Sequence, residues 1–325
     1  MTAFKRVLIS LGLFLVLLGV AYGYFVYAPV PETPLLSASA RSNTIQSGGR
    51  SRTYWSYVPT RLPSHLALLL VLHGTNIDGA TIRQWTGYAF DELADQHGFV
   101  VLYPDGYRKS WNDCRNDAPT ATKAENVDDV GFLRALVERY RLTNGVDPAK
   151  VFVFGYSNGG QMAFRLAGGP NRFVTGVAVV AANLPVPQAF SCDWQSPATP
   201  IMLVSNTADG IVLYGGGEVR LFGTSHGRVL SARATAEQMA RRNGITTPPR
   251  AIPVHDGPDD RPMPVSGLRW REPGKATVEW YTVWGGGHSV PQPRFRFPRI
   301  MGPTATRFNA PRQAVAFFGL LSTEN

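Results

Sequence analysis

Several stretches of the chain are apolar at nearly every position: 66–72, 99–103, 151–154, 174–182 and 201–204. They show neither the alternation of a half-exposed strand nor the spacing of a surface helix, and they predict strands buried on both faces. Between them, 80–96, 128–140 and 158–167 carry helical periodicity, and 232–242 and 311–321 follow later. Strands alternating with helices predict an α/β fold with a mostly parallel central sheet flanked by helices. An aromatic and β-branched segment at 52–58 predicts an earlier strand, and 278–284 a late one. Segment 218–222 alternates like an edge strand or loop, and 245–274, dense in Pro and Asp, reads as an inserted loop.

The amino-terminal pattern is of another kind. After Lys5 and Arg6, the 22 residues from Val7 to Ala28 contain no charge. At about 1.5 Å per residue they reach roughly 30 Å, enough to cross a bilayer, with Tyr22, Tyr24 and Tyr27 placed for its outer interface. Residues 1–28 are expected to be a signal anchor or a signal peptide. The run exceeds the about 7–15 apolar residues of a cleavable signal and Pro29 disfavours a cut after Ala28, while Ala21-Tyr22-Gly23 leaves a cut after Gly23 open. Either way the remainder is expected outside the cytoplasm, anchored and facing outward, or secreted or periplasmic if cut. Residues 29–49, rich in Pro, Ser, Thr and Ala, read as a tether, and 50–325 as one domain.

Composition narrows the chemistry. With 44% hydrophobic and 17% charged residues, disorder is excluded. Two cysteines exclude a Cys-rich zinc or iron–sulfur site, and no metal is expected. The net charge of +9 is dispersed and no segment resembles a nucleic-acid-binding fold, so no nucleic-acid partner is expected. Nothing in the pattern specifies an oligomeric state.

Chemistry enters after the third buried run, where Gly155-Tyr156-Ser157-Asn158-Gly159-Gly160 leads into a helix. A serine on a sharp strand-to-helix turn is presented at the sheet edge only if its neighbours lack colliding side chains, and the helix start offers N–H groups to negative charge. Ser157 is therefore the expected nucleophile. Gly223-Thr224-Ser225-His226-Gly227 matches the same G-x-S-x-G pattern but follows no buried run. A serine needs a base and the base an orienting acid, in chain order Ser, acid, His. Asp209 lies just past run 201–204, and His288 follows Gly285-Gly286-Gly287 after 278–284, so these are the expected acid and base. Asp193, Glu218, Asp256, Asp259, Asp260, His226 and His255 end no strand and are set aside. His73-Gly74-Thr75 ends the first buried run, so the backbone N–H groups of Thr75 and Asn158 are assigned to an oxyanion hole, with His73 a structural side chain.

Taken in order, His73-Gly74, Tyr103-Pro104-Asp105-Gly106, Ser110-Trp111-Asn112, Val127-Asp128-Asp129, Gly155 to Gly160, Thr207-Ala208-Asp209 and Gly287-His288 resemble exported α/β-hydrolase esterases. These are the polyhydroxybutyrate depolymerases, feruloyl esterases and acetylxylan esterases of the LpqC type. The resemblance covers about 50–322 and implies a serine carboxylic-ester hydrolase that needs no cofactor and acts on an ester, polymeric or not. Gly210 stands where the family usually has Pro, and 291–312 is extra sequence. An acyltransferase using an envelope sugar or lipid acceptor, and a binding protein on a retained fold, are the alternatives.

Four further features have their own readings. Asp128 or Asp129 is expected to cap a helix. Trp111, past run 99–103, either walls the substrate site or packs in the core. Cys114 and Cys192 both lie in loops after strands and, outside the cytoplasm, are expected to pair as a disulfide. Arg294, Arg296, Arg299, Arg307 and Arg312 fall within 22 residues free of acids; they form either a strip contacting an anionic surface or a solvated loop.

Overall fold

The computed structural model describes residues 3–169, 173–194, 198–254 and 263–321. His255, Asp256, Asp259 and Asp260 lie outside them. Helix α1 (Ala3–Phe25) precedes strands β1 (Arg41–Ser47), β2 (Arg50–Tyr57) and β3 (Leu66–Leu72). Helices α2 (Gly79–Trp85) and α3 (Ala89–His97) lead to β4 (Phe99–Pro104), and α4 (Ala121–Ala124) and α5 (Asp129–Asn144) to β5 (Val146–Tyr156). Then come α6 (Asn158–Gly168), β6 (Gly176–Val180), β7 (Ile201–Asn206), β8 (Gly217–Leu221), β9 (Thr224–Val229) and α7 (Ala232–Arg242). Strands β10 (Arg250–Ile252), β11 (Val265–Trp270) and β12 (Val278–Val283) and helix α8 (Ala310–Phe317) complete the order.

Ten strands form one sheet in the order β1-β2-β4-β3-β5-β6-β7-β12-β11-β10. The six from β4 to β12 run parallel, and an antiparallel pair closes each edge. Every residue of β3, β4, β6 and β7 is buried, as the apolar runs predict, and so is every residue of β12, Glu279 included. Alternate β3 residues feed two cores. Leu68, Leu70 and Leu72 meet Phe132 and Leu136 of α5 and Met162 of α6. Leu69 and Val71 meet Ile82, Phe90 and Val315 of α2, α3 and α8.

Three expectations need correction. Segment 29–49 is not merely a tether: β1 pairs along its whole length with β2, and the Ser37 backbone N–H donates to Asp95 at 2.6 Å. The 80–96 helix is two helices. Gly87 and Tyr88 take φ of 64° and 58°, and a Cβ on Gly87 would stand 2.8 Å from the Gln292 side chain that crosses there. Region 245–274 supplies the sheet edge β10-β11, whose polar, one-sided pattern resembles a loop in sequence.

Asp128 caps α5 by accepting the Gly131 N–H, as expected. Its neighbour Asp129 instead turns inward, accepting from Arg52 at 2.7 Å and from the Asn112 N–H at 2.7 Å, with Arg52 and Asp129 both buried. It thereby ties β2, the loop after β4 and α5 together.

Candidate active site

Strand β5 delivers Ser157 into a turn with φ 55° and ψ −118°, a left-handed backbone costing roughly 1–3 kcal/mol in a non-glycine residue. The flanking glycines make that turn possible. A Cβ on Gly155 would lie 2.2 Å from the Gly159 carbonyl oxygen, and one on Gly159 2.2 Å from that of Leu72. Ser225, in the second G-x-S-x-G, sits in the hairpin strand β9 with no helix directly after it.

The loops after β7 and β12 bring two side chains to Ser157 Oγ. His288 Nε2 is 2.9 Å from it, and His288 Nδ1 is 2.7 Å from Asp209 Oδ2. The other Asp209 oxygen accepts the backbone N–H groups of Ile211 and Val212 at 2.9 and 2.8 Å, which fixes the carboxylate plane. Both Asp209 and His288 are buried. Tyr156 OH donates to the His288 carbonyl at 2.8 Å, and the His288 N–H donates to that of Met301 at 2.6 Å, so the imidazole is anchored through its backbone. Because β7 and β12 are parallel neighbours, Asp209 and His288, 79 residues apart, meet across one sheet edge.

Residues 80–240 match the dienelactone hydrolase family. The chain is 29% identical over 311 residues to NocK of Nocardia uniformis subsp. tsuyamanensis, whose esterase activity is itself only proposed, covering 90% of this chain and 86% of that one. It is 27% identical over 287 residues to an acetylxylan esterase of Coprinopsis cinerea, covering 81% and 72%. The acetyl xylan esterase structure from Aspergillus awamori superposes with a TM-score of 0.58 over 87% of this chain and 100% of that one; at 15% identity the likeness is one of fold. The chain is an esterase of the α/β-hydrolase fold.

The esterase's cavity, about 320 Å³, is lined by Ser157, His288, Thr75, Asn158, Tyr156 and Trp85 among others, including the apolar Leu221, Phe222 and Ile300. Thr75 and Asn158, the residues expected to supply oxyanion N–H groups, thus border the same space as the serine. His73 is fully buried, its Nδ1 2.7 Å from the Gly74 carbonyl and its Nε2 accepting the Gly106 N–H at 2.8 Å. Burial pulls its pKa down to about 4, so it is a neutral brace for the loop, as expected.

Trp111 does not wall the cavity. Its ring is fully buried and its indole N–H donates to the His73 carbonyl at 2.9 Å, so the packing alternative holds. Asp113 belongs to none of the sequence motifs. It is buried, holds Arg115 at 2.5 Å and Lys123 at 3.3 Å, and accepts from the Asn158 side chain at 2.7 Å. The signal was a charged residue beside Ser110-Trp111-Asn112 in a loop leaving the sheet edge. His226, set aside as a base, lines the cavity from β9; burial and then Arg115 lower its pKa, keeping it neutral near pH 7.

Cys114 and Cys192 form a disulfide with Cα atoms 5.0 Å apart. It joins the Asp113 loop to the segment after β6, where the Ser191 N–H also donates to the Cys114 carbonyl. A larger cavity of about 560 Å³ lies there, lined by Asp113, Arg115, Lys123, Arg165 and Cys192, but it contains neither Ser157 nor His288. The smaller cavity is the one that Ser157 and His288 line.

Proposed function

We propose that the esterase works through an acyl-enzyme carried by Ser157. His288 Nε2 takes the Ser157 proton as Oγ bonds to the ester carbonyl carbon, and Asp209 holds the imidazole in the required tautomer and offsets its positive charge. The Thr75 and Asn158 N–H groups meet the charge that grows on the carbonyl oxygen. His288 returns the proton to the leaving alcohol, and water, activated by the same imidazole, releases the acid and restores the serine. The observation that carries this reading is the hydrogen-bonded series Ser157–His288–Asp209, with spacings of 2.9 and 2.7 Å, opening into a cavity.

The site takes one acyl group at a time, since about 320 Å³ lies at the small end of ligand cavities. Relatives are named for acetylxylan, feruloyl and poly(3-hydroxyalkanoate) esters, which supports the ester-hydrolase reading. Its working place is outside the cytoplasm, a reading supported by the apolar helix at Val7–Phe25 and by the disulfide.

A fluorophosphonate reagent is expected to label wild-type protein at Ser157, and Ser157→Ala to lose both labelling and cleavage of 4-nitrophenyl acetate while melting like wild type. A folded wild type that neither labels nor cleaves refutes the reading. A panel of acetylxylan, feruloyl and hydroxybutyrate esters then ranks the acyl group by kcat/KM.

A further inference from the structure

From the position of α1 against the cavity mouth, we propose that this esterase draws its substrate from the membrane in which α1 sits: an acyl ester of a lipid in the outer leaflet, entering the cavity from the bilayer surface. The inference rests on the ester-hydrolase reading above and adds where the ester comes from.

Val7–Phe25 is 19 residues of high hydropathy with none of its surface buried against the protein. At about 1.5 Å per residue it matches a hydrocarbon core of roughly 30 Å, so a spanning α1 puts Phe25 at the interface. The next residue, Val26, lines the cavity that holds Ser157. With consecutive Cα atoms about 3.8 Å apart, the cavity mouth lies at headgroup level.

The contact is built rather than incidental. The Arg299 guanidinium stacks 4.1 Å over the Tyr24 ring and donates to the Tyr24 carbonyl at 3.4 Å. Arg299 belongs to the extra 291–312 segment, which turns Phe295 and Phe297 inward and leaves Arg296 and Arg299 exposed. Arginines beside an apolar rim suit anionic headgroups. Phe222, 74% exposed at the tip of the β8-β9 hairpin, and Ile300, 49% exposed, also line the mouth. Large apolar side chains left in water at an opening are costly, and a bilayer surface removes that cost. An acyl chain passing from lipid into this mouth never crosses water. There Ser157 Oγ bonds to the acyl carbon, the lipid alcohol leaves with the proton from His288, and water releases the fatty acid.

The test uses the full chain reconstituted in phosphatidylcholine/phosphatidylglycerol vesicles. Two activities are compared: release of a fluorogenic acyl chain from a phosphatidylcholine in the vesicle, and cleavage of soluble 4-nitrophenyl butyrate. A Tyr24→Ser/Arg299→Glu variant breaks the latch without touching the residues around Ser157. Its vesicle-to-soluble rate ratio is expected to fall at least tenfold, with the soluble rate unchanged. Independently, a Phe222→Cys chain, whose two native cysteines are joined to each other, takes an environment-sensitive label; its emission is expected to shift to the blue in vesicles and to be quenched by headgroup-level quenchers. A wild type that cleaves the soluble ester but not the vesicle ester, an equal ratio in the latch variant, or a label that stays in water each overturn the proposal. Recovery from cells of a chain cut after Gly23 overturns it too. Failure on both esters, with the label still at the interface, instead removes the ester-hydrolase reading and the lipid-substrate assignment with it.

Discussion

Asn158 meets two demands at one position. Its backbone N–H opens α6 beside Ser157, while its side chain is held on both sides, Oδ1 accepting the Trp111 N–H at 2.7 Å and Nδ2 donating to Asp113 at 2.7 Å. Asp113 thus positions the residue proposed to stabilise the oxyanion. Asp113→Asn is expected to lower kcat by up to about 100-fold with a smaller change in KM, because a displacement near 1 Å costs that much in a transition-state contact. Burial alone would raise the Asp113 carboxyl, but Arg115 and Lys123 outweigh it and hold the pKa below its ordinary value. A carboxyl depressed in the folded state stabilises above about pH 3.9 and loses that contribution as pH falls through the folded value. Melting curves of wild type and Asp113→Asn should therefore differ at pH 6, begin to approach each other below about pH 4, and meet only as the pH falls through the lowered folded value. Asp209→Asn would present a donor where His288 needs an acceptor; a loss on the order of 10⁴ in kcat is expected in stopped assays with a soluble ester, with the melting temperature little changed.

At the scale of elements, the Asp113 loop is held by more than its ion pairs. The Cys114–Cys192 bridge closes a separation of 78 residues. Cross-linking a loop of that length removes unfolded-state entropy worth roughly 4 kcal/mol, so Cys114→Ser/Cys192→Ser is expected to lose about that much in urea unfolding. Activity of the still-folded variant should fall as well, because the loop that orients Asn158 is loosened. Elements with a strong burial pattern were the legible ones: 66–72, buried on both faces, and 232–242, buried along one helical face, coincide with β3 and α7. The missed elements are the edges. Arg41–Ser47 and Val265–Trp270 each show one face to solvent, and their polar residues hide a strand whose evidence is its partner. The split between α2 and α3 was equally hidden, since it depends on Gln292 crossing at Gly87 from a segment some 200 residues away.

For the whole molecule, the apolar helix stands outside both cores of the folded domain. None of Val7–Phe25 is buried, and the helix meets the domain through its last turn, where Tyr24 packs against Arg299. A chain starting at Val26 is expected to melt within about 2 °C of the full protein in detergent, to keep its rate on soluble esters, and to leave the membrane fraction on cell fractionation. The apolar runs, the glycine-flanked serine and the strand-end positions of Asp209 and His288 were determined by sequence alone. Each is dictated by local sterics or by burial of neighbouring residues, which one stretch of chain expresses by itself. Tertiary structure decided that Trp111 packs rather than lines the site, that Asp113 reaches Asn158, and that the 299–301 turn meets the end of α1. Those outcomes come from parallel strand order and long crossings that bring distant segments within hydrogen-bonding distance, and no local pattern of side chains encodes such separations.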